Sequence, residues 1–222
     1  IMGAWASNSK YAIFGGLRTS AQMVSYELAM GLSIVGIVMT FASVELGVIA
    51  QSQGEALVQL GPLTVPKWGI FLQPLGFLIF LTSVFAETNR LPFDMAEGES
   101  EIVAGYHLEY GSMKFALFMM AEYVHMTTAS ALLATFYFGG WNLLPGMSYL
   151  MDPIGQGILF LSNAVLSGAF EFSITSVLAQ DLARVLLEVA SFTLKVAFFL
   201  WFFVWVRWTL PRFRYDQLMA LG

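Results

Sequence analysis

The chain has 222 residues, of which 58% are hydrophobic and 11% are charged, and its formal net charge at pH 7 is −5. Soluble domains carry roughly 25% charged residues, so this composition excludes an ordinary water-soluble globule and predicts an integral membrane protein. The absence of cysteine excludes thiolate-held iron–sulfur clusters, disulfides and thiol catalysis, and a pI near 4.9 argues against nucleic acid as a partner.

Four apolar segments are long enough to cross a bilayer, which takes about 20 mostly apolar residues. In chain order they are residues 24–47, 68–86, 115–141 and 192–210. Tryptophans stand at several of the segment ends, where indole rings favour the membrane interface. We therefore predict an all-α fold, a polytopic transmembrane helix bundle in which residues 1–222 form one integral membrane domain.

A fifth stretch, residues 154–180, is long enough to cross, but it carries a polar residue at every fourth position in its second half. Such spacing places a narrow polar stripe on a helix. If the stretch does not cross, the basic residues after the fourth span return to the side of Lys10 and Arg18, as the positive-inside rule favours. We therefore predict an interfacial or re-entrant helix followed by an amphipathic piece, residues 181–188. Two short crossings would satisfy the rule equally well.

The segment between the second and third spans, residues 87–114, is a long acidic loop. It holds six of the fifteen acidic residues of the chain: Glu87, Asp94, Glu97, Glu99, Glu101 and Glu109. On a helix starting near Pro92, the acids at 94, 97 and 101 would share one face, and closely packed carboxylates share and release protons in coupled steps. The pattern favours a proton relay, because the acids alternate with apolar residues and the loop joins two spans directly. A solvated acidic loop is the alternative.

Two glutamates lie inside predicted spans, Glu27 in the first and Glu122 in the third. An ionisable side chain in a span costs at least about 2.5–3.5 kcal/mol and so suggests a function, here as a proton carrier. Glu27 is also close enough to the interface for its side chain to snorkel. His125 follows Glu122 by three residues on the same helix face. We interpret it as a hydrogen-bonded packing residue, since a chain with two histidines offers little for a metal site.

Three long segments match one known family in the same order and together cover over a third of the chain. They are Gly3 to Glu27 (GAWASNSKYAIFGGLRTSAQMVSYE), Ala86 to Met126 (AETNRLPFDMAEGESEIVAGYHLEYGSMKFALFMMAEYVHM) and Trp205 to Met219 (WVRWTLPRFRYDQLM). The sequence thereby resembles the quinone-site membrane subunit of respiratory complex I, called the H subunit in bacteria.

The resemblance implies a subunit that anchors the hydrophilic arm of NADH:quinone oxidoreductase and forms part of its quinone chamber. The charged residues of the quinone cavity and its acidic loop would be Arg18, Glu87, Arg90, Asp94, Glu97, Glu99, Glu101, Arg207 and Arg212. The path from the cavity towards the proton-pumping subunits would include Glu27, Glu122 and Tyr123. The chain would have no catalytic centre, cofactor or metal of its own. Quinone would be the substrate, and NADH, FMN and the iron–sulfur clusters would belong to partner subunits.

The resemblance also implies the surroundings of the chain. Its partners would be the hydrophilic quinone-site subunits and adjacent small membrane subunits of complex I, in the bacterial inner membrane or, alternatively, the mitochondrial one. The spans that the family places at both ends are absent, so we expect a fragment. Residues 147–191 have no counterpart in the short connection expected there, and we interpret them as an insertion.

Three other functions stay open at this point. The equivalent subunit of a membrane-bound hydrogenase-type complex would share the resemblance without reducing quinone. A stand-alone proton or cation transporter using Glu27 and Glu122 predicts an internal repeat with discontinuous helices, which the sequence does not show. A purely structural anchor with solvated acids would tolerate Glu122→Gln and Asp94→Asn without loss of turnover.

Overall fold

The computed structural model describes residues 1–60, 63–94, 107, 109–144, 151–166 and 176–211. Most of these residues are helical, which confirms the helical part of the fold prediction. The helices are α1 Met2–Ala6, α2 Lys10–Phe41, α3 Leu46–Gln53, α4 Gly69–Leu72, α5 Pro74–Glu87, α6 Ser112–Tyr137, α7 Met151–Leu166 and α8 Ser176–Thr209.

A two-stranded antiparallel hairpin departs from the all-α prediction. Strand β1 (Ala56–Leu60) pairs with strand β2 (Leu63–Pro66), and Leu60 lies opposite Leu63. The all-α prediction is wrong for these residues, because it rested on apolar segments of membrane-crossing length. Short runs containing β-branched residues such as Val58 and Val65 favour strands. These runs are much shorter than the segments of about 20 residues from which the fold was predicted.

The helices have other bounds than the predicted spans. Helix α2 begins at Lys10, well before the first predicted span, and ends at Phe41 before a left-handed Ala42 with φ of 51°. The second predicted span is divided between α4 and α5, and Gln73 joins them in a non-helical conformation. The break lies just before Pro74, since proline lacks the N–H that would continue the hydrogen-bonding ladder and disfavours helical backbone in the residue before it.

Helix α6 contains most of the third predicted span, and α8 joins the predicted amphipathic piece to the fourth span in one continuous helix. Within the described residues, two helices are long and apolar enough to cross a membrane by length and composition, residues 10–41 and 180–209. The interfacial helix at 154–180 and the insertion at 147–191 stay predictions. Helix α7 and the start of α8 lie in this part of the chain, and residues 145–150 and 167–175 are outside the described residues.

The core forms where α5 packs along α2 and where α8 packs on α5 and α6. Aromatic side chains dominate it, for example Phe85 against Phe203 with ring centroids 4.3 Å apart. Close approach of the backbones needs a glycine at one point, because a Cβ atom on Gly69 would collide with the carbonyl oxygen of Phe136. The resulting packing holds the C-terminal end of α5 beside the first half of α6.

Two buried polar side chains fix the C-terminal end of α6. Gln53, fully buried in α3, donates to the carbonyls of Thr135 and Phe136 at 3.0 and 3.1 Å. Its Oε1 accepts from the N–H groups of Gly69 and Gly139 at 3.1 and 3.0 Å. Further along the chain, Lys195 of α8 donates to the carbonyls of residues 140 and 142 at 2.9 and 2.7 Å. The bonds of Gln53 to Thr135 and Phe136 satisfy carbonyls that a helix end leaves without partners, and the bonds of Lys195 fix the loop that follows α6.

Candidate functional site

The chain reverses after α5 through a short turn, residues 88–94. Thr88 ends the helix by donating its N–H and its hydroxyl to the Val84 carbonyl at 3.0 and 2.9 Å. Asn89 follows in the left-handed region with φ of 50°, a conformation that asparagine tolerates better than most residues. This reversal places the side chain of Arg90 against α6.

A glutamine of α2 ties both ends of this turn together. Gln22 is buried, and its Nε2 donates to the carbonyls of Ala86 and Phe93 at 2.6 and 3.0 Å. The ring of Tyr26, one turn along α2, packs on Phe93 with centroids 5.7 Å apart. Helix α2 therefore holds the turn that carries Arg90.

Gln22→Leu is expected to lower stability by about 1–3 kcal/mol, because it leaves buried carbonyls without a donor. The midpoint of thermal denaturation of the assembled full-length protein would measure this. Gln51→Leu makes the same substitution at an exposed position of α3 and is the matched control. Equal midpoints for both variants would contradict the anchoring role of Gln22.

The centre of the site is a buried ion pair between Arg90 and Glu122. Arg90 NH2 lies 3.2 Å from Glu122 Oε2, and the two side chains are only 10% and 11% exposed. The guanidinium also lies over the ring of Tyr123, 4.8 Å from its centroid. A charge buried to this degree is tolerated only with a partner, and the loss of either partner is strongly destabilising. The geometry therefore couples the turn after α5 to the charge on Glu122.

A second pair lies beside the first. Nε2 of His125 is 3.8 Å from Oε1 of Glu87, and these side chains are 44% and 22% exposed. The interpretation of His125 as a hydrogen-bonded packing residue is wrong, since its ring is exposed and its contact is a carboxylate beyond hydrogen-bonding distance. Spacing along α6 alone could not show that the chain reversal brings Glu87 to this face.

The other predicted site residues have these positions. Asp94 is buried at the end of the turn, whereas Glu27 and Arg18 are exposed on α2, and Arg207 is half-buried near the end of α8. The remaining predicted site residues lie outside the described residues, so the shared acidic face stays a prediction: Glu97, Glu99, Glu101 and Arg212. Within the described part of the chain, no three histidine or acidic side chains lie close enough together to hold a metal ion.

Two residues that support the site were missed by sequence reasoning. Gln22 and Tyr26 both lie in the first segment that carries the family resemblance, but neither is charged, and the resemblance assigns roles in that segment to charged residues alone. A glutamine in an otherwise apolar helix was the available signal, because a buried amide requires hydrogen-bond partners.

Comparison with known proteins places the whole chain in one family. A family model described as NADH dehydrogenase matches residues 1–222. The chain is 45% identical over 235 aligned residues to the H subunit of NADH-quinone oxidoreductase from Bdellovibrio bacteriovorus, covering 100% of this chain and 55% of that protein. It is 46% identical over 221 residues to the corresponding H subunit from Deinococcus deserti, with 100% and 46% coverage. NADH-quinone oxidoreductase subunit 8 of Rhodothermus marinus is 43% identical over 221 residues, with 100% and 57% coverage. The chain thus spans about half the length of the curated relatives it matches.

Proposed function

Because the chain belongs to the NADH dehydrogenase family, we propose that it is the quinone-site membrane subunit of a proton-pumping NADH:quinone oxidoreductase. It would form part of the quinone chamber and the start of the proton-coupling path, in a bacterial inner membrane and in contact with other subunits of the complex. The whole chain matches about half the length of bacterial H subunits of NADH-quinone oxidoreductase. This match and the long apolar helices α2 and α8 support the proposal.

The observation that carries the proposal is the buried contact between Arg90 and Glu122. Arg90 belongs to the acidic segment that we predict to border the quinone, and Glu122 belongs to the helix that we predict to carry protons. The ion pair between these two side chains would let a change of charge beside the quinone act directly on the proton-carrying helix. A purely structural anchor would not require a residue of each group to form a buried pair.

The coupling follows from electrostatics. Reduction of a quinone to a quinol takes up protons and changes the charge balance of its chamber. Arg90 responds to any change of charge on its own side, because interactions between charges are strong where water is excluded. If Arg90 is drawn towards the quinone side, the ionised carboxylate of Glu122 is no longer stabilised by the guanidinium and takes up a proton. When Arg90 moves back, Glu122 releases that proton. Acids coupled in this way titrate as a group.

Glu122→Gln tests the proposal in the full-length protein within the assembled complex. Glutamine keeps the size of the side chain but cannot carry a proton, so we expect coupled NADH:quinone turnover to fall at least about tenfold, the equivalent of about 1.4 kcal/mol in a barrier. Proton pumping into membrane vesicles and NADH:quinone reductase activity are the measurements, with assembly checked by native gel.

Glu188→Gln is the matched control, because Glu188 forms an exposed pair with Arg184 in α8, 2.9 Å apart. It should leave turnover and pumping unchanged. Normal, fully coupled turnover in assembled Glu122→Gln would contradict the proposed path and favour a scaffold. Insensitivity of the wild-type activity to quinone-site inhibitors would instead favour the hydrogenase-type alternative.

A further inference from the structure

Two pairs of side chains cross the contact between the end of α5 and helix α6 in a regular order. Glu87 faces His125 at 3.8 Å and Arg90 faces Glu122 at 3.2 Å. The partners on each side are three residues apart, so the two segments run in opposite directions and form a small ladder of charges. The ladder also has an inner and an outer end, because Glu122 is 11% exposed and His125 is 44% exposed.

The charge of this ladder depends on His125. With a neutral imidazole, the two carboxylates outweigh the single guanidinium of Arg90 by one negative charge. Protonation of His125 balances the ladder. An imidazole side chain can gain or lose a proton near neutral pH, whereas a guanidinium stays protonated.

The surroundings of His125 contain few other charges among the described residues. Helices α3 and α4 also pack on α6, and neither contains a charged residue. Helix α8 brings Arg207 to this end of the bundle, one turn beyond Phe203, which packs on Phe85. Of the charged groups, Glu87 lies directly opposite His125, Arg90 and Glu122 form the neighbouring pair, and Arg207 lies on α8 at the same end of the bundle.

We propose that His125 is the proton-exchanging residue of this ladder, the more exposed group through which a proton reaches and leaves the buried pair of Arg90 and Glu122. A proton bound by His125 stabilises the ionised carboxylates of Glu87 and Glu122. Its release makes the remaining charge negative and favours proton uptake by a carboxylate. The proposal rests on the proposed function and adds a residue to its proton path.

The test is the pH dependence of coupled turnover in the full-length protein within the assembled complex, from about pH 5.5 to 8.5, the range in which imidazoles titrate. Wild-type turnover should show a transition in this range. His125→Gln removes the titrating group, so the transition should disappear, with a loss of about two- to fivefold at the optimum. His125→Lys keeps a fixed positive charge and should show a flat profile as well.

His107→Gln removes the other histidine of the chain and should keep the wild-type transition. A wild-type profile without a transition, or an unchanged transition in both His125 variants, would overturn the proposal. A purely structural role would lower turnover equally at every pH without changing the shape of the profile, and that result would also overturn it. The proposed function is tested separately, by the loss of coupled turnover in Glu122→Gln, so either can fail without the other.

Discussion

Arg90→Met is expected to reduce the amount of assembled complex sharply, by the equivalent of about 3–5 kcal/mol of subunit stability. The variant removes the guanidinium that lies 3.2 Å from the carboxylate of Glu122, whose side chain is only 11% exposed in the wild-type protein. An ionised group in such a position is far more costly than a neutral one. Native gels and immunoblots of membranes carrying the full-length variant would measure the loss.

The double variant Arg90→Met/Glu122→Gln separates the ion pair from the remaining contacts of each residue. Because glutamine carries no charge, the double variant should assemble better than Arg90→Met alone, although turnover stays low. The coupling between the two substitutions should lie at the upper end of the usual range, about 1–3 kcal/mol. Additive effects would contradict a direct interaction between the two side chains.

The pair Arg184–Glu188 provides the matched cycle, with the substitutions Arg184→Met and Glu188→Gln. These residues are also oppositely charged and only 2.9 Å apart, but the Arg184 side chain is 66% exposed. Exposed pairs contribute about 0.2–1 kcal/mol, so the single variants should assemble normally. A similar loss of assembly in both cycles would show that burial does not determine the effect.

Gln53→Leu is expected to be the most damaging substitution away from the site. Gln53 is fully buried and makes four hydrogen bonds to backbone groups at the junction of α3, α4 and the end of α6. Leucine fills a similar volume but leaves two N–H groups without an acceptor, at about 1–3 kcal/mol each. We expect a loss of about 2–6 kcal/mol and little assembled complex.

Gln51→Leu, on the exposed side of the same helix, controls for the change of residue type and should stay within about 0.5 kcal/mol of wild type. Gln53→Glu is a second variant, which keeps an acceptor for the two N–H groups but removes the donor. Its carboxylate would face the two carbonyls to which the amide of Gln53 donates. If Gln53→Leu accumulates and denatures like wild type, Gln53 does not hold this junction together.

The helical class of the fold could be predicted because it follows from long apolar segments, and the hydropathy of a segment depends only on the residues within it. Proline and left-handed residues set helix ends such as those at Gln73 and Ala42, and these are local effects that a closer search for turn signals could have found. The antiparallel strands at residues 56–60 and 63–66 depart from the prediction for a related reason, since they are short and lie between long apolar segments.

The candidate site was only partly accessible to sequence reasoning. The family resemblance identifies Arg90, Glu122 and Tyr123 individually, but as members of two separate groups, a quinone cavity and a proton path. Their contact depends on the chain reversal at Thr88 and Asn89 and on the packing of α5 beside α6. Gln22, which holds that reversal in place, is uncharged, and the resemblance implies no role for it.

By itself the sequence determined the apolar character of the chain, its helical class and its family, because composition, hydropathy and motifs are properties of residues and their near neighbours. Tertiary structure alone decided which charges meet. Arg90 pairs with Glu122 and His125 with Glu87 because the end of α5 and the turn after it run in the opposite direction to α6. The energy of a charge depends on its partner and on the exclusion of water, and both arise only when distant segments pack together.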